Sequence, residues 1–198
     1  MVGMNFFNKT SILLLSILIV DQCILLDWIA DEKRNISSKE CKSSSVFISE
    51  TTNQIPIPSE MDIHMKPGDS IAVQSVNPKC MYYPTNIVVK PGEVYAIDSG
   101  GSWKDGWLPP SSPNGWNGLI LNFLTRLSGT NFFALCGSIG ETDTTAFKIG
   151  LRKLWTVPQN STDKSDYLYL FANDHKNFLG NNKSVISNPL RVRVRRVS

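Results

Sequence analysis

From residue 70 onward the chain repeats one pattern: short runs rich in Val, Ile, Leu, Tyr and Phe, several alternating with polar residues, broken by turn formers. The runs are "SIAVQSV" (70–76), "TNIVVK" (85–90), "EVYAID" (93–98), "NFFALCGSI" (131–139), "AFKIG" (146–150), "DYLYLFA" (166–172) and "LRVRVRRV" (190–197). Alternation sends successive side chains to opposite faces of a strand, and β-branched and aromatic residues favour that conformation. Pro67-Gly68 and Pro91-Gly92 mark turns. The segments around them, "IHMKPGDSIAV" (63–73) and "IVVKPGEVYAI" (87–97), share an order of strand, Lys-Pro-Gly-acid, strand. Two copies do not make a repeat architecture, and hairpins with the same turn chemistry explain them. Only "GLILNFLTRL" (118–127) has the spacing of a short helix. The pattern predicts an all-β domain over residues 60–198, a jelly-roll-like β-sandwich of about seven or eight strands.

Upstream the pattern changes twice. "SILLLSILIV" (Ser11–Val20) is an uncharged apolar run behind a short segment with one Lys, the order of a secretory signal. Extending it to the length of a spanning helix means including Asp21, Gln22 and Asp27. An aspartate near a helix centre costs roughly 2.5–3.5 kcal/mol on insertion scales. A cleaved signal over residues 1–30 is therefore expected, and the protein is expected to be exported: secreted, periplasmic or at the cell surface. Trp28 and Ala30 make a poor cleavage site, so a membrane tether through residues 11–30 is the other reading. Residues 31–59 are rich in Ser, Lys, Glu and Asn without sustained apolar periodicity, and are expected to be a flexible polar linker.

At 198 residues and 41% hydrophobic content, the chain can bury one substantial core. A net charge of +3 does not by itself imply a nucleic-acid partner. Arg191, Arg193, Arg195 and Arg196 crowd the last positions. As a final strand, this segment would turn Val192 and Val194 to the core and its arginines to water. With the signal removed, Cys41, Cys80 and Cys136 remain, and three cysteines permit at most one internal bridge. Cys136 lies in the apolar "FFALCGS", where a buried inert thiol is expected. His175 adjoins Asp174, but neighbours on an extended chain face opposite ways. No catalytic residue is assigned, and no enzymatic activity is expected. The sequons at Asn35, Asn160 and Asn182 bear on the protein only in a eukaryotic secretory pathway.

The richest chemistry lies in "FANDHKNFLGNN" (171–182). Calcium takes six to eight hard oxygens, and Asp174, Asn181 and Asn182 offer three from one segment, with Gly180 to turn the chain. The segment is not an EF-hand loop, and it needs oxygens from elsewhere or from a sugar's hydroxyls. Composition leaves a second reading open, an Asn/Asp/Gly turn without a ligand. Trp103, Trp107 and Trp116 likewise either stack on a sugar or plug one end of the sandwich.

"LYLFANDHKNFLGNN" (168–182) resembles the ND…GNN loop of the PA-I type galactophilic lectins, a family of small calcium-dependent β-sandwiches that bind galactosides. "VVKPGEVYAIDSGGSWKDGW" (88–107), "NFFALCGSIG" (131–140) and "FKIGLRKLW…DYLYLFAND" (147–174) are similar to further family segments in the same order, so the resemblance spans residues 70–197. It implies calcium held by Asp174, Asn181 and Asn182 and by backbone carbonyls of Phe178 and of the loop near Asp105 or Gly106. It implies a carbohydrate ligand over Asp174, His175, Asn182 and Trp103. Homo-oligomers would suit such a domain, since paired weak sites gain by effective concentration. The chain also departs from the family. His175 and Lys176 replace small or apolar residues, and Phe178 replaces Thr. "PNGWNGLILNFLTRL" (113–127) lacks the family's sugar-contacting His and Gln, with Ile120 and Phe123 at those places. Loss of sugar binding, leaving a structural or protein-interaction sandwich, is the alternative expectation.

Overall fold

The computed structural model describes residues 41–48, 54–117, 125–159 and 167–198. The amino-terminal signal or tether, residues 31–40 and 49–53 of the polar stretch, Ile120 and Phe123 lie outside the described residues, as does most of the helix expected over 118–127.

The described residues form an all-β sandwich. One sheet has six strands in the order β10 (Arg152–Thr156), β6 (Val94–Gly100), β13 (Arg191–Arg196), β4 (Ser70–Val73), β1 (Ser45–Ile48) and β2 (Gln54–Pro56). The other has five: β3 (Ile63–His64), β5 (Tyr83–Val88), β11 (Tyr167–Ala172), β8 (Leu135–Ile139) and β9 (Phe147–Lys148). Their pairings are antiparallel except for β3 with β5. A two-stranded ribbon joins β7 (Trp103–Asp105) to β12 (Asn182–Ser184).

Period-two burial builds the core. Val192 and Val194 of β13 face inward while Arg191, Arg193 and Arg195 face outward, as the alternation requires. Ile71, Val73 and Ile97 from the six-stranded sheet share one apolar cluster with Ile87, Leu135, Leu168 and Leu170 from the other. Each such side chain contributes roughly 1.5–3 kcal/mol by leaving water. Phe147 stacks on Trp155 at 4.3 Å, bringing together β9 and β10 from the edges of the two sheets.

The stretch expected to be a linker differs from its composition. Residues 45–48 add β1 to the edge of β4, and residues 54–56 add β2 outside it. Two constraints supply the order that local apolar content does not. The Cys41–Cys80 disulfide clamps the segment covalently, and the Ser44 backbone N–H donates to the Tyr83 hydroxyl at 3.0 Å. Cys136 is free and fully buried, and burial pushes its thiol up to about 12, so it stays protonated and unreactive at neutral pH.

Candidate functional site

β11 ends by delivering Asn173 and Asp174, both fully buried, to one end of the sandwich. Asn173 is a structural clamp. Its Oδ1 accepts from the Leu127 N–H at 2.7 Å, and its Nδ2 donates toward the carbonyls of Leu127, Thr130 and Asn131. The neighbouring loop is thereby fastened to the strand, and the next residue, Asp174, is held in place. A short 3-10 helix, Lys176–Asn181, follows, its first turn capped by the His175 ring accepting from the Asn177 N–H. The helix carries Phe178 and returns the chain to Asn181 and to Asn182, the first residue of β12.

The ribbon then sets Asn182 opposite Asp105 in register. Trp103 and Asp105, two apart on β7, both turn inward. Gly106 follows with φ +47 and donates its N–H to the Asn181 carbonyl at 3.2 Å. A Cβ there would stand 3.1 Å from the Asn181 amide nitrogen, so a side chain at 106 would crowd the site.

The amide of Asn182 has a determined orientation. Its Nδ2 reaches two acceptors, the Pro78 carbonyl at 3.1 Å and Asp174 Oδ2 at 2.9 Å, so nitrogen must lie on that side. Among the described residues its Oδ1 is left buried without a hydrogen-bond partner, as are Asp105 Oδ1 and both polar atoms of the Asn181 amide. Asp174 Oδ1 accepts from the His175 N–H at 2.7 Å. Burial and the nearby Asp105 charge push the Asp174 carboxyl up to about 8, against the opposing Asn182 and His175 donors. Burial pushes Asp105 up to about 6, with the Asn181 side chain acting the other way.

An unsatisfied buried polar atom costs about 1–3 kcal/mol. Four of them would consume much of the roughly 5–15 kcal/mol that holds an ordinary domain folded. Something must satisfy these atoms. Water could bond the amides, but ionising both buried carboxyls, which burial opposes, calls for positive charge beside them. Among the described residues no three of His, Cys, Asp and Glu come together, so the donors are two carboxylates plus amide and backbone oxygens. Such a hard-oxygen set fits calcium better than zinc or copper.

The structure therefore brings Asp174, Asn181, Asn182 and Gly106 together, with Phe178 on the connecting helix. It also brings in the Asp105 side chain, where the resemblance implied a backbone carbonyl from that loop. The "WKD" alternation carried the signal: if Trp103 is buried, so is the residue two further on. Trp103 departs from its expected ligand role. It is fully buried, with its ring 5.3 Å from that of Phe133, and its indole N–H donates to the Phe133 carbonyl at 3.1 Å. It has no face to offer a ligand. Trp116 is half-buried, stacked on Phe132 and Phe133, while Trp107 is 69% exposed beside Gly106. Trp103→Phe is expected to lower stability by about 1–3 kcal/mol, since the Phe133 carbonyl loses its buried donor. Chemical denaturation measures that loss, and calcium titration of the same variant should show affinity within about twofold of the wild type.

No protein-family model matches the chain, and no curated protein matches it. One solved structure similar to it is a lectin domain. Described as "EclA N-terminal domain; PllA-like lectin", it aligns with TM-score 0.41 and 18% identity over 78% of this chain and 95% of that one.

Proposed function

We propose that this chain is an exported, calcium-dependent carbohydrate-binding domain. The observation that carries the reading is the convergence of Asp105 and Asp174 with the buried amides of Asn181 and Asn182, three oxygens of which lack partners. Asp174, Asp105, Asn181 and Asn182 would hold the ion through side chains, and Phe178 and Gly106 through backbone carbonyls. Calcium held there would supply a Lewis-acidic point for a sugar's hydroxyl pair. The protein's part is to orient the amides and exclude bulk water. Exposed Trp107, next to Gly106, offers an apolar ring to the sugar's C–H face. The ND…GNN resemblance supports a galactoside as the ligand, and the apolar amino-terminal run supports export.

The absence of His and Gln from 113–127 favours a second reading, a sandwich that keeps its metal loop for structure and has lost sugar binding. A glycan array separates the two. Galactoside binding in calcium that disappears with chelator supports the lectin. An array that stays blank while calcium still binds supports the structural role.

A further inference from the structure

A surface cleft of about 430 Å³ opens on the flank of the candidate calcium site, with Asn182 in its wall. Three lysines, Lys42, Lys79 and Lys183, line it, and no acidic residue does. The fold forces these cations together. The Cys41–Cys80 bridge, with Cα atoms 5.7 Å apart, holds Lys42 and Lys79 side by side as the flanking residues of its two ends. Lys183 follows Asn182, whose amide is bonded to the Pro78 carbonyl one residue before Lys79. Among the described residues none of the three lysines has an ion-pair partner. Ser75 and Ser184 add hydroxyls to the same wall, while Ser44 is already bonded to the Tyr83 hydroxyl at 2.9 Å.

Like charges fixed at one rim repel, and a cleft focuses their field, raising the local concentration of anions. The arginine-bearing cleft on the outer face of β13 differs. Asp98 lies in its wall beside Arg193 and Arg195, and pairs with Arg152 at 2.6 Å. Of these two clefts, the lysine cleft is the one that has hydroxyl-bearing residues and no acidic residue in its wall. Ammonium and hydroxyl groups together suit a sulfate, phosphate or carboxylate, to which they give charge-assisted hydrogen bonds.

We propose that this cleft binds an oxyanion carried by the saccharide, so that the preferred ligand is a sulfated, phosphorylated or uronic sugar rather than a neutral one. The inference rests on the carbohydrate reading of the adjoining site, and the test keeps the two apart. Calorimetry on the full chain, with its disulfide intact and calcium present, compares a sulfated galactoside with its unsulfated counterpart. The variant is Lys79→Gln/Lys183→Gln, which removes charge from solvent-reachable side chains and leaves the calcium ligands in place. The expected result is about tenfold tighter binding of the sulfated sugar, weakening with added salt and abolished in the variant. Equal affinities, or a preference that persists in the variant, overturn the proposal. A second arm titrates sodium sulfate against the ¹⁵N-labelled chain, with sodium chloride at matched ionic strength as control. Amide shifts confined to residues 75–79 and 183–184, and absent in the variant, place the anion in the cleft even if neither galactoside binds. In that case the carbohydrate reading fails and the cleft is a site for a free anion. Shifts no different from those in chloride overturn the cleft itself.

Discussion

Calcium added at pH 8 is expected to raise the melting temperature of the wild-type protein by about 5–10 °C at a hundredfold excess over its dissociation constant. The figure follows from linkage: binding only the folded state at that excess adds about 2.7 kcal/mol. For a domain of this size, each kcal/mol moves the midpoint by roughly 2–4 °C. Asp174→Ala should abolish the shift, with calcium affinity falling by about a hundredfold or more. The variant loses one of two site carboxylates, and ligand charge is a main determinant of calcium affinity.

The pH dependence adds a check that a polar turn cannot imitate. In the unfolded chain an aspartate titrates near about 3.9. In the folded, metal-free protein Asp174 is pushed up to about 8 and Asp105 to about 6. Between these values the native state holds more protons than the unfolded state, so metal-free stability falls as pH rises from about 4 to about 8. Calcium must displace those protons, so the stabilisation it gives grows over the same range. Two melting series, one with chelator and one with calcium, should therefore diverge as pH rises. Parallel curves, or a shift that survives in Asp174→Ala, would count against calcium at this site.

The parts of this fold that could be read from the chain are those where one physical signal acts alone. Strict alternation in "RVRVRR" forces one face inward, and β13 occupies Arg191–Arg196 with Val192 and Val194 buried. Other elements depend on distant partners. β1 has four residues in a Ser- and Lys-rich neighbourhood, and its order comes from pairing with β4 and from a disulfide 39 residues long in sequence. β12 begins at Asn182, a residue with no strand preference, because the 3-10 helix aims it at β7. β10 presents "RKLWT", whose polar and apolar residues do not alternate cleanly, and Leu154 stays exposed.

The site divides in the same way. The grouping of Asp174, Asn181 and Asn182 is legible because hard oxygens within one segment are visible in a string of letters. Nothing in the letters sets the Asp105 carboxylate beside Asp174, since their proximity is created by the ribbon between β7 and β12. Trp103 plugs the end of the sandwich, as one of the two readings of its Gly-rich stretch has it, and takes no ligand role. Its true partner, the Phe133 carbonyl, lies 30 residues away. Phe133 itself sits at φ +61, a backbone region unusual for an aromatic, and no local pattern announces it.

Breaking the Cys41–Cys80 bridge is expected to cost about 4 kcal/mol of stability and to weaken calcium binding roughly tenfold. The first figure is the chain-entropy estimate for a loop of 39 residues. The second follows from what the bridge holds. Cys80 closes the turn that carries Pro78, whose carbonyl takes one hydrogen of the Asn182 amide and so keeps Oδ1 directed away from it. Without that acceptor the amide is free to rotate, and part of the population would present nitrogen where an oxygen is needed. The turn also has internal support, with the Lys79 N–H on Asn77 Oδ1 at 3.1 Å and the Cys80 N–H on the Asn77 carbonyl at 3.2 Å. A partial loss is therefore expected. Reductant suffices for the experiment, because Cys136, the other cysteine among the described residues, is already a buried thiol. Denaturation in chelator measures the stability term apart from the metal, and calcium titration of the reduced, folded protein measures the second. Unchanged calcium affinity after reduction would mean that the turn orients Asn182 by itself. A stability loss without any calcium response would confine the bridge to holding β1 on the sheet.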